Sequence, residues 1–515
     1  MWGSARALLC LSMFVASPVT LAGGVHAQEI NPVCKPVSES ASGLVSEETS
    51  SDQAEEHCVV DRVPVEEPAA PIRIDPESEQ LPVIALPRGW TLNQAMSMPD
   101  WLTLSASALS QNNGSVTGIE SPQFTSSNLF NLAFRLVPLA ALKGGVAVGT
   151  TAPRQGSDVG DYLYYKIAIN GLFTQRVGQI LSSSIPNELN TQWNFGNGPV
   201  ARLGFLNLEY KSDGDFISML KIGKLMQAQD FTMNPIQCYF SNFGFCGWAQ
   251  GVPAMIDIPG NPFNSNGAVV AFGDSRSINF RYGVYQIAPA TFAPNLHGID
   301  FSFNKGIGVA QFAEIRLPIS TNNRMPVNYN KQSNKAAVST RQQANAVYES
   351  LLPPGTLTLG GWLGSGSFPT VVDPDLSGTK NNGAYGIISL RIPGFPLGLD
   401  HRAFISGGMG LTPNVQQFNA GGNAGLVVEG LVPSRPFDTF SIGTSFASYN
   451  TDYFLPGLTP SSFVPGTEWA AELNYSININ QSTRVMPNLQ VIFNPGGNSN
   501  RSAAVVAGLQ LWYFF

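Results

Sequence analysis

The sequence is poor in charged residues, in cysteine and in long apolar runs. Charged side chains make up 12% of its 515 residues, about half of the roughly 25% that soluble globular proteins carry. This deficit argues against a large soluble enzyme with a solvated surface. After the N-terminus no run of about 18 apolar residues occurs, which argues equally against a protein that crosses a membrane with helices.

Recognisable catalytic patterns are also missing. Only three histidines follow the N-terminal apolar segment, His57, His297 and His401, and they stand in unrelated contexts. We find no nucleophile elbow, zinc-binding His-Glu-x-x-His, Cys-x-x-Cys or Walker loop. A hydrolase assembled from separated Ser, His and Asp residues is the remaining enzymatic alternative. We therefore expect no enzyme, no cofactor, no bound metal and no nucleic-acid partner.

The N-terminus has the pattern of a secretory signal peptide in residues 1–27. Arg6 supplies a positive charge, residues 7–22 are apolar, and Val25-His26-Ala27 is a small-residue cleavage site. A transmembrane anchor is the alternative, but the segment is short and contains Pro18. We expect the remaining chain to be exported.

Cleavage after Ala27 would leave four cysteines, an even number that favours disulfides in an oxidising compartment. The simplest pairing joins cysteines that are close in sequence, Cys34 with Cys58 and Cys238 with Cys246. Free, buried thiols are the alternative.

Residues 28–80 differ from the rest in charge. They contain thirteen acidic and three basic residues, a net charge of −10, whereas the whole chain carries −7. Four prolines between Pro64 and Pro76 interrupt any regular element there. We interpret residues 28–94 as an extended, weakly ordered periplasmic segment and residues 95–515 as the main domain. Residues 81–515 carry a net charge of +2, which predicts weak ion selectivity for any pore they form.

The main domain alternates apolar and polar residues, as half-buried strands do. In residues 468–479, Trp469, Leu473 and Tyr475 alternate with Glu468 and Glu472. A soluble sandwich would show the same alternation. The strand lengths of roughly 9–11 residues and the polar faces of Ser, Thr, Asn and Gly favour an all-β transmembrane antiparallel barrel.

The C-terminus supports this prediction. Leu511, Tyr513 and Phe515 lie on one face of a last strand that ends on an aromatic residue. A soluble domain ending in Leu-Trp-Tyr-Phe-Phe would expose a large apolar patch. The pattern resembles the terminal motif by which bacterial outer-membrane barrels are recognised for insertion by the barrel-assembly machinery.

Two C-terminal blocks carry a family resemblance. Residues 425–438, Gly-Leu-Val-Val-Glu-Gly-Leu-Val-Pro-Ser-Arg-Pro-Phe-Asp, resemble the Gly-Leu-(Val/Ile)-Pro-Gly-Arg-Pro-x-Asp block of the carbohydrate-selective porin (OprB) family. Residues 486–498, Met-Pro-Asn-Leu-Gln-Val-Ile-Phe-Asn-Pro-Gly-Gly-Asn, are similar to that family's penultimate strand, and Glu472-Leu-Asn-Tyr475 matches its Glu-x-x-Tyr strand. Ser434 replaces the usual Gly, and Asn488 the usual Asp.

The resemblance, over roughly residues 95–515, implies a barrel of 16 strands that passively admits mono- and small oligosaccharides. It also implies a homotrimer in the outer membrane of a Gram-negative bacterium, in contact with lipids and lipopolysaccharide.

A barrel of this size has a lumen too wide for side chains alone to fill, so selectivity must come from charges on the inner face and from loops folded inward. Because a charge facing lipid costs about 2–4 kcal/mol at mid-bilayer, charges on alternating strands should face inward. For each such charged residue, the alternative is a salt bridge within the barrel wall, remote from the constriction. The candidate pore-lining residues are Arg135, Glu209, Lys221, Arg281, Glu314, Arg316, Arg391 and Glu472.

Residues 227–264 are the best candidate for a loop that narrows the pore. The segment is long, rich in aromatic residues, and stiffened if Cys238 pairs with Cys246. Aromatic faces stack on sugar rings as readily as on each other. The segment could therefore form either a sugar-binding surface or a packed external loop. The candidate aromatics are Phe231, Tyr239, Phe240, Phe243 and Trp248.

Two further functions remain as alternatives to a sugar-selective porin. A general small-solute porin would have the same barrel without sugar preference. An outer-membrane structural or adhesion protein would use residues 28–94 to bind a periplasmic or cell-wall partner. A plugged, energy-coupled receptor fits poorly, because it needs about 22 strands and a folded N-terminal plug.

Overall fold

In a computed structural model of the protein, most of residues 101–515 and a few pieces before them are described. The longer described ranges are 101–118, 123–137, 167–179, 199–212, 216–246, 262–273, 278–288, 297–319, 355–392, 401–453 and 463–515, without positions 305, 374 and 433. The shorter pieces are 83–84, 92–96, 98, 181, 189, 191–192, 252–256, 258, 324–326 and 347–349. The predicted signal peptide and the Cys34–Cys58 pair lie outside the described residues.

Sixteen antiparallel strands close into one barrel within these ranges, and the last strand pairs with the first. The prediction of an all-β, 16-stranded antiparallel barrel is therefore confirmed. The strands are β1 Leu102–Thr117, β2 Phe124–Leu136, β3 Ile167–Gly178, β4 Val200–Lys211, β5 Ile217–Leu225, β6 Ser265–Phe272, β7 Asn279–Ile287, β8 Gly308–Pro318, β9 Thr356–Pro369, β10 Ser377–Ile392, β11 His401–Gly410, β12 Phe418–Glu429, β13 Thr439–Tyr449, β14 Thr467–Asn478, β15 Thr483–Phe493 and β16 Ala504–Phe514.

The two faces of each strand follow the alternation in the sequence, because successive side chains of a strand point to opposite sides. On β14, Trp469 and Leu473 are each 41% exposed on the outer face, whereas Glu468 and Glu472 are buried on the inner face. An apolar outer band and a polar interior are what a barrel in hydrocarbon requires.

The barrel has two different ends. β1 begins and β16 ends at the same end, which we call the terminal end, and the other is the opposite end. Since neighbouring strands are antiparallel, the connection from β5 to β6, residues 226–264, starts and finishes at the opposite end. The connection from β3 to β4 also lies there.

Helices and minor strands are short. The α-helices are α1 Leu92–Met96, α2 Gln227–Asp230, α3 Phe243–Cys246 and α4 Val252–Ile256, and the 3-10 helices are Pro235–Tyr239, Pro413–Val415, Thr451–Tyr453 and Pro495–Gly497. Separately from the barrel, Val347–Glu349 pairs parallel with Val83–Ile84 and antiparallel with Arg324–Pro326. Among the residues described, no helix has the length and hydropathy needed to cross a membrane.

Candidate pore constriction

We call the β5–β6 connection, residues 226–264, the constriction loop. Its described residues fold into the barrel, and the first of them pack against β7 and β8. Phe231 is buried, with its ring centroid 5.5 Å from that of Phe312 and 6.1 Å from that of Tyr285. A Cβ at Gly283 would lie 2.6 Å from the Phe231 ring. The glycine thus leaves the space on the inner wall that the ring occupies.

Further along, the constriction loop contacts the wall formed by β11–β13. The Gln237 side-chain amide donates to Oγ of Ser406 (2.8 Å) and Oδ1 of Asn423 (2.9 Å). Phe240 and Phe245 stack at 4.2 Å between centroids and pack against Phe404. This contact combines apolar burial with amide hydrogen bonds, so the loop has a defined position there.

A third anchor joins the loop to β14. The backbone amides of Ser241 and Asn242 donate to Oε1 and Oε2 of Glu472, at 2.8 Å and 2.7 Å. The side-chain amide of Asn474 also donates to Glu472, at 2.8 Å. A carboxylate that accepts several hydrogen bonds is a strong acceptor, and Glu472 fixes the loop rather than facing the pore water.

The four predicted loop aromatics that the structure describes pack against the barrel wall and the loop itself rather than facing open water. Phe231, Tyr239 and Phe240 are buried, and Phe243 is half-buried against the core. This arrangement favours the packing alternative over a sugar-binding aromatic surface for these rings. Trp248 lies outside the described residues. The structure also joins Cys238 to Cys246 in a disulfide, with a Cα–Cα distance of 4.4 Å.

Described residues of the β3–β4 connection lie inside the barrel too, a feature that the sequence analysis missed. The backbone amide of Leu189 donates to Oε1 of Glu468 (2.6 Å), and the Gln490 side chain donates to the carbonyl of Thr191 (2.9 Å). The Asn242 side-chain amide donates to the carbonyl of Leu189 (2.9 Å). Asn242 thus connects this second segment to the constriction loop.

Five of the eight predicted pore-lining residues lie together on the inner wall formed by β4–β8, around Asp230 of the constriction loop. Lys221 contacts Oδ1 of Asp230 at 2.7 Å and Oε1 of Glu209 at 3.6 Å. Arg281 and Arg316 donate to the backbone carbonyl of Asp230, at 3.2 Å and 2.8 Å. Their charges are therefore coupled to the position of the loop.

Glu314 completes this cluster and is shielded from the pore. It pairs with Arg316, and it accepts from the Tyr385 hydroxyl (2.7 Å) and from the backbone amide of Thr232 (3.1 Å). Tyr385 and Asp230 were not among the predicted residues. Tyr385 lacks a charge, and Asp230 lies in a segment without periodicity, so strand alternation did not select either.

The other three predicted residues lie elsewhere on the inner wall. Arg135 donates from Nε to Oδ1 of Asn170 (3.0 Å), and Asn170 donates in turn to Glu209 (2.9 Å), which links Arg135 to the cluster. Arg391 is opposite Arg402 in the β10–β11 register, away from the cluster. Glu472 is beneath the constriction loop on β14.

Basic and acidic residues of the sixteen strands differ in exposure. The five acidic residues, Glu209, Glu314, Glu429, Glu468 and Glu472, are all at most 3% exposed. Eight of the twelve basic residues keep accessible surface, and four are buried. The accessible ones are Arg135, Lys211, Lys221, Arg281, Arg316, Lys380, Arg391 and Arg484; the buried ones are Arg176, Arg202, Lys224 and Arg402.

Arg484 on β15 was also missed, since the motif used to place that strand begins only at Met486. Its position on the same face as Asn488 and Gln490 could have indicated an inward direction.

Within the described part of the chain, no group of three or more His, Cys, Asp or Glu side chains could hold a metal ion.

Comparisons with known proteins agree with this architecture. A sequence model described as carbohydrate-selective porin, OprB family, matches residues 167–515. The high-pH structure of Pseudomonas putida OprB is similar with a TM-score of 0.66 and 18% identity, over 84% of this chain and 100% of that chain. That likeness shows a shared fold.

Lower similarity is found to the low-pH structure of the same protein (TM-score 0.48, 15% identity, 84% and 100% covered). Salmonella typhi OmpF in complex with daunomycin is similar at a TM-score of 0.42 and 12% identity, with 81% and 98% covered. No curated protein sequence matches this chain significantly.

Proposed function

The chain belongs to the carbohydrate-selective porin, OprB family, and we propose that small sugars diffuse passively through its barrel past the constriction loop, which sets the size limit. The family and the closed barrel make it a carbohydrate porin of the Gram-negative outer membrane, and so a channel rather than an enzyme. The observation that carries the proposed size limit is the set of anchors that hold the loop inside the barrel.

The anchors support a fixed constriction because they reach separate parts of the wall. Phe231 packs against β7 and β8, Gln237 binds β11 and β12, and Glu472 of β14 accepts from Ser241 and Asn242. A loop held at several points cannot swing out as one rigid body around its ends. The passage past it should therefore have a constant width, and permeation should fall steeply with sugar size.

The proposed pore-lining residues have two different roles. Lys221, Arg281 and Arg316 keep accessible surface and can donate hydrogen bonds to sugar hydroxyls that lose water in the passage. Glu209, Glu314 and Glu472 are buried, so we assign them to holding these bases and the loop in place. Arg135 and Arg391 keep accessible surface outside the cluster and would contact sugars before or after the constriction.

Swelling of proteoliposomes in isosmotic mono-, di- and trisaccharides tests this function. We expect rapid entry of monosaccharides, a steep decrease with size, and slower entry of amino acids of similar mass. Equal entry rates for all small solutes would indicate a general porin without sugar selectivity. No swelling from protein that migrates as a folded barrel would overturn the open-pore proposal, and binding partners of residues 28–94 would then be sought.

Three further assignments remain proposals. Leu511 and Tyr513 are exposed on the outer face of β16 and, with Phe515, would form the signal read by the barrel-assembly machinery. We also propose that the protein forms a homotrimer in contact with lipid and lipopolysaccharide, and that residues 28–94 lie in the periplasm. Crosslinking in intact cells and protease protection of an N-terminal tag would test the last two.

A further inference from the structure

We propose that residues 297–304, which we call the outer strap, lie in the hydrocarbon of the membrane leaflet at the opposite end of the barrel, where they complete the apolar outer surface over β5–β7. Their partner is the acyl chains of lipids, rather than water or another protein. The inference concerns the outer surface of the barrel and does not depend on which solutes the pore admits.

The wall is shortest at β5–β7. These strands have 9, 8 and 9 residues, whereas each of the other thirteen strands has at least 10. Eight residues tilted by about 40° cross only about 18 Å of membrane. Outer-membrane barrels present an apolar band about 25 Å tall. The wall therefore lacks apolar height where the chain leaves it to form the constriction loop.

The last outward-facing side chain of each of these strands at the opposite end is polar. Lys224 of β5 follows Leu220 and Ile222, which are exposed on the outer face, and it is in register with Asn266 of β6. The Asn266 side-chain amide donates to Oε1 of Gln286 on β7 at 2.8 Å. A cation and two amides that faced hydrocarbon would be costly, so this part of the wall needs a cover.

The outer strap covers these three side chains. Nζ of Lys224 is 5.3 Å from the ring centroid of Phe301, within the range of a cation–π contact. The Asn266 amide also donates to the backbone carbonyl of Phe301, at 3.2 Å. A Cβ at Gly306, just after the strap, would lie 2.8 Å from Nε2 of Gln286. All three polar side chains are consequently buried, although they point away from the pore.

The start of the strap is fixed to β4. Because β5 pairs with β4 only from Leu206 onwards, the preceding part of β4 has another neighbour on that side. The backbone amide of Leu203 donates to the carbonyl of His297 at 2.9 Å, and Nδ1 of His297 is 2.7 Å from the carbonyl of Ala201. Asn264 of the constriction loop donates to the carbonyl of Leu203 at 2.6 Å. The strap thus takes the place beside β4 that the chain gives up when it turns into the barrel.

The outward face of the strap is apolar. Ile299, Phe301 and Phe303 are 63%, 49% and 75% exposed. The alternating residues Asp300 and Ser302 are less exposed, and the backbone amide of Ser302 donates to Oδ1 of Asp300 at 2.9 Å. Large apolar side chains grouped in this way are unfavourable in water. Their alternation with polar residues instead continues the pattern of the lipid-facing strands.

An aromatic cluster marks the other boundary of the same surface. At the terminal end of β5–β7, the Phe272 ring packs against Phe216 and Phe280, with centroid distances of 5.2 Å and 6.1 Å. Aromatic residues collect at both boundaries of the apolar band of a membrane barrel. The outer strap supplies the second boundary, at the end where the strands themselves are too short.

Spin labels on the strap test what surrounds it. A nitroxide would be attached at Ile299→Cys or Phe303→Cys in the full mature chain carrying Cys34→Ser and Cys58→Ser, and the protein reconstituted in phospholipid vesicles. We expect both labels to be reached by oxygen, which concentrates in hydrocarbon, more than by a water-soluble nickel complex. Leu220→Cys on the outer face of β5 is the matched lipid-facing control, and Asp452→Cys, exposed at the opposite end, is the water-facing control.

Two results of this experiment would overturn the proposal. Strap labels that respond like the one at Asp452→Cys would place the strap in water. Strap labels shielded from both reagents and coupled magnetically to labels on other copies would identify a second copy of the chain as the partner.

Membrane thickness separates contact with lipid from packing within the protein. Phe303→Arg should lower the temperature at which the folded band disappears for protein in dioleoyl phosphatidylcholine, whose hydrocarbon reaches the strap. It should have little effect in the thinner dilauroyl phosphatidylcholine. Leu220→Arg should lower that temperature in both lipids. An equal decrease for Phe303→Arg in both lipids, or none in either, would contradict the proposal. If Phe303→Arg folds in neither lipid, the spin labels on the folded cysteine variants decide.

Discussion

Arg435 and Asp438 form a two-point ion pair across the turn between β12 and β13, with N–O distances of 2.8 Å and 2.9 Å. Asp438 is buried, and it also accepts from the Tyr475 hydroxyl (3.1 Å) and the backbone amide of Asn478 (2.9 Å). The hydrogen bonds from Arg435 to the Asp438 carboxylate raise the pKa of the Arg435 guanidinium. The pair therefore ties the turn to the end of β14, and it explains physically why Arg and Asp occur together in the motif.

Asp438→Asn should destabilise the barrel at its terminal end. The amide cannot accept from both Arg435 nitrogens and the Asn478 amide at once, so we expect a loss of about 1–3 kcal/mol. The temperature at which the folded band disappears in gel electrophoresis measures this loss. Asp452→Asn, at an exposed position at the opposite end, is the control, and equal temperatures for the two variants would contradict the role of the pair.

Glu472→Gln should loosen the constriction loop. The neutral glutamine keeps one oxygen that can accept from Ser241 or Asn242, so one of the two backbone amides loses its acceptor and the other keeps only an uncharged one. At about 1.5–3 kcal/mol for a hydrogen bond to a charged group, the displaced loop should become roughly ten- to a hundredfold more populated. Single-channel recordings should show larger and noisier currents, while Asp375→Asn, an exposed acid between β9 and β10, should behave as wild type. Unchanged currents in Glu472→Gln would show that the other anchors suffice.

Gly283→Ala should displace the Phe231 ring. The added Cβ would lie 2.6 Å from that ring, closer than real contacts allow, and overpacking of this kind costs about 1–3 kcal/mol. We expect a lower unfolding temperature together with a changed sugar-size cutoff. Gly407→Ala is the matched control, because its nearest neighbour would be 3.7 Å away. A normal size cutoff in Gly283→Ala would mean that Phe231 does not position the loop.

Removing the Cys238–Cys246 disulfide should affect the loop more than the barrel. The bridge closes a short ring with a sequence separation of 8, which corresponds to about 2–3 kcal/mol of loop ordering. The double variant Cys238→Ser, Cys246→Ser should therefore fold and insert, but with increased current noise. Treating wild-type protein with a reductant should reproduce that noise. If the current noise of the double variant equals that of oxidised wild-type protein, the contacts with the barrel wall alone order the loop.

The barrel could be predicted because its wall obeys a simple rule. Each crossing strand must show an apolar outer face, and the alternation of Trp469 and Leu473 with Glu468 and Glu472 is visible in the sequence. The same rule identified inward-facing charges such as Lys221 and Arg281, and the structure brings five of the eight predicted residues into one cluster.

The interior could not be predicted in the same way. The constriction loop has no period, and its position depends on contacts distant in sequence, such as Gln237 with Ser406 and Asn423. Alternation shows that Glu472 faces inward but not that a loop covers it. For the same reason the second inward segment, with Leu189 bonded to Glu468, left no recognisable pattern in the sequence.

The seam between β1 and β16 constrains the order of assembly. Gln111 on β1 donates to Gln510 on β16 at 2.8 Å, although the two are 399 positions apart in the chain. Until β16 is in place, β1 and the growing sheet each have an open edge whose backbone groups hydrocarbon cannot satisfy. Contacts of such long sequence separation form slowly. Insertion must therefore wait for the C-terminal strand or proceed with both edges capped by another protein, and a chain that stalls before that strand would be open to edge-to-edge aggregation.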